Sequence, residues 1–198
     1  MSETFYFNTP LTTEAVSKLR ITDIVYLSGT IYTARDMAHQ KIRELVGRNE
    51  PLPESFEGAA VFHAGPVVRK TATGYDLLLI GPTTSIRMEP FSDMQGKLGT
   101  KAIIGKGGLG DDSSLAFKKY GMVYLLAAGG CGSLYASAVK RVKTVHWIEM
   151  GMPEAVWVLE FQKWGPLTVT MDSHGNSIHR DIEQEGRKKI DALVKEMA

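Results

Sequence analysis

A single α/β domain built on a mixed sheet is the fold class that this chain predicts. Three observations predict it. Apolar, β-rich runs alternate with helical stripes over the first two thirds of the 198 residues, the pattern of an α/β build. Two alternating runs near the end, 156–162 and 167–171, flank a Trp164-Gly165-Pro166 bend and read as a hairpin, which adds antiparallel pairing. Neither an internal repeat nor a linker interrupts a chain long enough for one large core. The domain is therefore expected to cover 1–198, with a core at about 5–180 and a C-terminal helix over 181–197.

Residues 1–22 read as an entry segment, with a short helix over Thr12–Leu19 opened by hydroxyl residues. Asp23–Thr33 is rich in β-formers and reads as a strand. In 36–46, Ala38, Ile42, Leu45 and Val46 share one helical face, and Gly47 ends the helix. Pro51, Pro53 and Gly58 mark a loop. Ala59–Ala64 is the next strand, closed by Gly65-Pro66, and Thr73-Gly74 is a turn before a buried strand over 75–80. Gly81-Pro82 must stop that strand, because proline has no N–H to donate and fixes its own φ. Residues 89–99 hold a helix with Phe91, Met94 and Leu98 along one side, and Lys101–Ile104 is a short strand that breaks into a glycine loop. Ser113–Tyr120 reads as a helix stopped by Gly121. Met122–Ala128 follows as a strand, and Ser133–Val142 as a small-residue helix with Leu134, Ala138, Val139 and Val142 in register. Ile182, Ile190, Leu193 and Val194 make the last helix amphipathic.

Composition narrows the function classes. A hydrophobic fraction of 43% excludes general disorder, and a net charge of +1 provides no strong field for nucleic acid or an acidic membrane. Every apolar stretch falls short of the ~18 residues that cross a bilayer. The N-terminus carries Glu3 and no basic cluster, so it is not read as a signal peptide. The single Cys131 rules out an intrachain disulfide and fits a reducing, cytoplasmic setting. It also rules out a cysteine-ligated iron–sulfur cluster held by this chain alone, which needs about three or four thiolates. His39, His63, His146, His174 and His179 are scattered without metal-ligand spacing, and His174 and His179, flanking a Gly175-Asn176 turn, read as surface residues.

The chemistry concentrates at strand ends, where α/β proteins bind ligands. Thr83, Thr84, Ser85 and Arg87 follow the 75–80 strand. Arg35 closes a hydroxyl-rich strand end, with His39 one helical turn on and on the same face. Lys106 lies in Gly105-Lys106-Gly107-Gly108-Leu109-Gly110, which matches neither the P-loop nor the dinucleotide glycine pattern. Three strand ends thus each deliver one cation beside glycine or hydroxyl residues, which suggests one site for a small polyanion. Taken singly, each is equally readable as a capped polar turn. Gly129-Gly130-Cys131-Gly132 before a helix could bind an anion through free N–H groups or could pack the helix closely on the sheet.

Ile24–Thr30, Thr33–His39, His63–Pro66, Gly81–Met88, Gly105–Gly108, Gly151–Trp157 and Asp172–Asn176 together, in order over about 5–180, resemble the β subunit of iron–sulfur hydro-lyases, the class I fumarases and L(+)-tartrate dehydratases. In single-chain class I fumarases the same region is the C-terminal domain. The resemblance implies a swivelling β/β/α domain and an obligate α subunit, assembled as an α2β2 heterotetramer. That α subunit would hold a 4Fe–4S cluster on three cysteines, with one iron open to substrate, and this chain would contribute no metal ligand. Carried over motif by motif, Arg35, Arg87 and Lys106 would bind the carboxylates of a C4 dicarboxylate. Thr83 would be the acid–base residue, with Lys106 assisting catalysis. The implied reaction is reversible hydration of fumarate to L-malate. L(+)-tartrate dehydration to oxaloacetate is the alternative within the family, and a stand-alone dicarboxylate-binding module the alternative outside it.

Overall fold

The computed structural model describes residues 2–196. The chain runs β1 (Thr4–Asn8), α1 (Thr13–Ser17), β2 (Ile24–Thr33), α2 (Asp36–Gly47), β3 (Ala60–Phe62), β4 (Ala64–Lys70) and β5 (Tyr75–Pro82). A 3-10 segment, Ser85–Phe91, leads into α3 (Ser92–Lys97), β6 (Ala102–Gly105), α4 (Asp111–Tyr120) and β7 (Val123–Leu126). Then come α5 (Gly132–Ser137), β8 (Val139–His146), β9 (Val156–Met171) and α6 (Ile178–Glu196). Met197, the last residue of the expected C-terminal helix, lies outside the described residues.

The fold is mixed α/β, as expected. A seven-stranded sheet has the order β1-β2-β3-β6-β7-β9-β8, and β4 and β5 form a separate two-stranded ribbon. Neighbours from β1 to β7 pair in parallel, with Phe5 opposite Val25, Ile31 opposite Ala60, Val61 opposite Ile103 and Ile103 opposite Tyr124. β9 runs antiparallel to β7, β8 and β2, and its pairing with β2 closes the ring β2-β3-β6-β7-β9. Inside, Trp164 packs on Phe62 and Phe161 with ring centres 4.6 and 4.5 Å apart. Such contacts add to the ~1.5–3 kcal/mol that burial of each large apolar side chain supplies.

Helix boundaries follow local chemistry. Thr12 Oγ1 accepts the Ala15 N–H at 3.1 Å and caps α1. α4 opens on Asp111 and Asp112 and closes on Lys118 and Lys119, charges that oppose the helix dipole, before Gly121 turns left-handed at φ 63°.

Five sequence expectations give way. The entry segment contains β1, whose Phe5 and Phe7 alternate with exposed Tyr6. Gly65-Pro66 and Gly81-Pro82 do not stop strands, because β4 and β5 run through them. A two-stranded ribbon tolerates proline, since half its N–H groups face away from the partner. As part of a two-stranded ribbon β5 is only partly buried: Leu78 is 49% exposed, whereas Ile80 is fully buried. The helix expected over 133–142 ends at Ser137, and β8 takes the rest. β8 bulges between Val139 and Arg141 and between Val142 and Thr144, so its apolar residues recur every third position and mimic a helix. The Trp164-Gly165-Pro166 bend is no hairpin but a register shift inside the continuous β9, where a side chain on Gly165 would meet the Val25 carbonyl at 2.7 Å.

Candidate active site

Three strand ends meet where the chain leaves β2, β5 and β6. Past β5, the Thr83 N–H donates to the His63 carbonyl at 2.7 Å, which sets the start of the loop on β3. The Lys106 N–H donates to the Thr83 carbonyl at 3.3 Å, and the Ser85 N–H to the Lys106 carbonyl at 3.1 Å. The loop carrying Thr83 and Arg87 is thereby laced to the glycine loop carrying Lys106. Arg87, two residues into the 3-10 segment, turns back so that its Nη2 donates to Thr83 Oγ1 at 3.1 Å and to Asp36 Oδ2 at 2.9 Å. Asp36 opens α2 and follows Arg35 directly. The strand ends carrying Arg35, Thr83, Arg87 and Lys106 are therefore neighbours: Arg87 touches Thr83 and Asp36, the residue next to Arg35, and Lys106 joins them through its main chain.

Each arginine already holds a carboxylate of the chain. Arg87 holds Asp36, and Arg35 Nε lies 3.0 Å from Glu154 Oε1. The Arg35 contact is ionic but not aligned as a hydrogen bond, so the buried Nε–H has no acceptor. Glu154 uses its other oxygen, Oε2, to accept the Met37 N–H at 3.1 Å at the start of α2. Both pairs keep some solvent access, so each contributes at most about 1 kcal/mol. Sequence reasoning missed Asp36 and Glu154 as partners; Asp36 is adjacent to Arg35, whereas Glu154 arrives from the loop before β9 and carries no local signal.

Beneath the loops lies a buried polar layer. His39 is packed flat on Phe91 and edge-on to His63, with ring centres 5.2 and 5.3 Å apart. Its Nδ1–H donates to the Arg35 carbonyl at 2.8 Å, so the His39 that shares a helical face with Arg35 supports the start of α2. Burial, only partly offset by that bond and by Asp36, pushes the His39 pKa down to about 4. Burial first, then repulsion from a protonated His39 and from Arg87, holds His63 well below the usual imidazole range. Both rings are neutral in the folded protein near pH 7. The unfolded chain takes up those protons first as pH falls, so stability is full above about 6.5 and drains towards 4. His39 alone should contribute a slope of up to ~1.4 kcal/mol per pH unit in that window. Urea midpoints measured from pH 7 to 4.5 should fall for the wild type and fall less steeply for His39→Asn. Equal slopes would show that His39 is not held neutral.

The glycine loop is built for packing around the lysine. A side chain on Gly105 would strike Ser85 Oγ, and one on Gly108 would strike His179 at 2.6 Å. His179 is thus half-buried against the loop rather than a surface residue, with Nε2 3.2 Å from Thr170 Oγ1. The N-terminus of α4 beyond the loop is already occupied by Glu89, which accepts the Gly110 and Ser113 N–H groups at 2.6 and 3.1 Å. Gly132 proves to be a packing glycine, since a side chain there would meet Leu79 at 2.9 Å.

A groove of about 580 Å³ runs along α2 from the Arg87–Asp36 pair to Phe91 and Met150. Of the four sequence-derived residues, only Arg87 lines it, and the constellation itself sits on an open face. Among the described residues, no group of three or more His, Cys, Asp or Glu is placed to hold a metal ion, and no helix is long and apolar enough to cross a membrane.

Comparison with known proteins gives a consistent answer. The sequence model of the family described as "Fumarase C-terminus" matches residues 2–182. The chain is 47% identical over 186 residues to "Putative L(+)-tartrate dehydratase subunit beta" of Methanocaldococcus jannaschii, a match covering 93% of this chain and 95% of that protein. It is 37% identical over 190 residues to "L(+)-tartrate dehydratase subunit beta" of Escherichia coli K12, covering 96% and 93%. It is 40% identical over 183 residues to "Putative fumarate hydratase class I" of Geobacillus stearothermophilus, covering 91% of this chain but 34% of that longer protein.

Proposed function

This chain belongs to the fumarase C-terminus family, and from that premise we propose that it is the β subunit of a hydro-lyase acting on a C4 dicarboxylate, with fumarate and L-malate as its substrate pair. The carrying observation is that both site arginines already hold carboxylates, Arg87 beside the Thr83 hydroxyl, while Arg35 keeps a buried, unused N–H. A dicarboxylate needs two such clamps, and guanidinium forks match carboxylates. In this reading Arg35, Arg87 and Lys106 bind and orient the substrate. Removing a proton next to a carboxylate builds enolate-like charge, which the three cations face. Thr83 moves that proton. A threonine hydroxyl is far too weak a base alone, but the Arg87 N–H on its Oγ favours the charged oxygen.

The partner implied is an α subunit, as expected for an α2β2 assembly, carrying a 4Fe–4S cluster. That cluster, when bound, would supply the Lewis acid that helps hydroxide leave. With one cysteine and no metal-holding group among its described residues, this chain fits a division of labour in which the partner ligates the cluster. L(+)-tartrate dehydration to oxaloacetate is the second reading, favoured by the subunit-length matches to proteins named for it. Co-expression with the α subunit and anaerobic assay on fumarate, malate and both tartrates separates the two. The purified chain alone is expected to be colourless and inactive. Dehydratase turnover without an α subunit would refute the division of labour.

A further inference from the structure

Ser85 lies between Thr83 and Arg87 in sequence, yet points the opposite way. It is fully buried, and so is Tyr124, while His63 is 2% exposed. The Tyr124 hydroxyl, on β7, donates to Ser85 Oγ at 2.9 Å. His63 Nδ1, just past β3, lies 2.9 Å from the same oxygen. A serine hydroxyl has one hydrogen and two lone pairs. With one lone pair taken by Tyr124, its hydrogen is free to point at His63 Nδ1, which then carries no proton. Gly105 closes the third side, because only a residue without a side chain leaves room for Ser85 Oγ there. One hydroxyl is thus held among His63, Gly105 and Tyr124, at the ends of β3 and β6 and on β7, while the main chain of its own residue and of Lys106 forms the lacing described above, a parallel bridge centred on Thr84 and Lys106.

We infer that the Ser85 hydroxyl, clamped between His63 and Tyr124, is the positioning group that holds Thr83 and Arg87 in register with Lys106. Without it the two loops share only two main-chain hydrogen bonds near an open face, both longer than 3 Å. With it, the Thr83–Arg87 loop is pinned to the sheet from which the Lys106 loop springs. The inference rests on the lyase reading only for the use to which that register is put. Ser85 touches no substrate in this scheme, so its removal should act on turnover through geometry, and catalysis is sensitive to displacements of about 1 Å.

The test uses Ser85→Ala in the complex with the α subunit, together with Ser85→Ala/Tyr124→Phe, which also removes the phenol that Ser85→Ala would orphan. Ser85→Ala is expected to lower kcat at least tenfold with cluster absorbance unchanged. The double variant should regain thermal stability without regaining kcat. Amide hydrogen exchange at Thr83, residue 85 and Lys106 should quicken at least tenfold in Ser85→Ala while the β3 and β7 amides hold. A Ser85→Ala kcat within twofold of wild type, or kcat returning in step with stability in the double variant, would leave Ser85 a structural residue only. Unchanged exchange at those three amides would overturn the inference as well. Should Ser85→Ala fail to fold, Tyr124→Phe alone deletes one O–H and carries the same readouts at about threefold size, and no change in either overturns it. A wild-type complex inert towards fumarate, malate and both tartrates would remove the lyase reading, while the exchange measurement, which needs no substrate, still decides the positioning.

Discussion

Thr83→Val is expected to lower kcat by ~10²–10⁴-fold, the usual range for a lost acid–base group, while changing KM little. Valine keeps the β-branched shape and deletes only the hydroxyl. The main-chain bonds of Thr83 to His63 and Lys106 do not involve that hydroxyl and should survive. What disappears is the oxygen that Arg87 Nη2 reaches at 3.1 Å. Thr84→Val is the matched control. Thr84 is exposed, and its side chain makes no capping bond to the 3-10 segment it precedes, so valine there should cost little rate. Two equally active variants would remove Thr83 from catalysis. A dead Thr84→Val beside an active Thr83→Val would move the role by one residue and leave the mechanism standing. Intact assembly and cluster absorbance must accompany either result, because a lost subunit contact would mimic a lost acid–base group.

The place of Thr83 was legible, though for a partly mistaken reason. Hydroxyls and a cation past an apolar strand mark a candidate site whether or not Gly81-Pro82 ends the strand. In fact β5 runs to Pro82, and the ribbon it forms with β4 delivers Thr83 to the end of β3. Arg35 and Lys106 were legible by the same logic, each at a strand end beside hydroxyl or glycine residues. Their convergence was not, since it depends on parallel pairing of β2, β3 and β6 across long stretches of chain. Asp36, Glu154, Ser85, His63 and Tyr124 take their roles from partners far away in sequence, where no periodicity or spacing rule reaches. Bulges misled the strand readings most. An extra residue in β8 makes the apolar spacing three, and in β9 it makes a turn-like Gly-Pro step inside a continuous strand.

Arg87→Lys tests whether the constellation works as a unit. Charge is conserved, so a purely electrostatic site would tolerate the change. Here one guanidinium nitrogen serves two acceptors at once, the Thr83 hydroxyl at 3.1 Å and the Asp36 carboxylate at 2.9 Å. A substrate carboxylate that displaces Asp36 would inherit this fork. Lysine offers a compact ammonium on a different reach and cannot hold a planar two-acceptor geometry. The loss should therefore appear in both parameters, as weaker binding and as a less activated Thr83. The expected fall in kcat/KM is ~10²–10³-fold, about 3–4 kcal/mol. A fall confined to KM would mean that Arg87 only binds, and that Thr83 draws its activation from elsewhere. Near-wild-type kinetics in the assembled enzyme would place Arg87 outside the site. Asp36→Asn provides the complementary measurement, because it frees Arg87 from its internal carboxylate. If Asp36 competes with substrate, KM should drop in that variant while kcat holds. If Asp36 instead orients Arg87 towards Thr83, kcat should drop, and the two variants combined should then lose little more than Arg87→Lys alone.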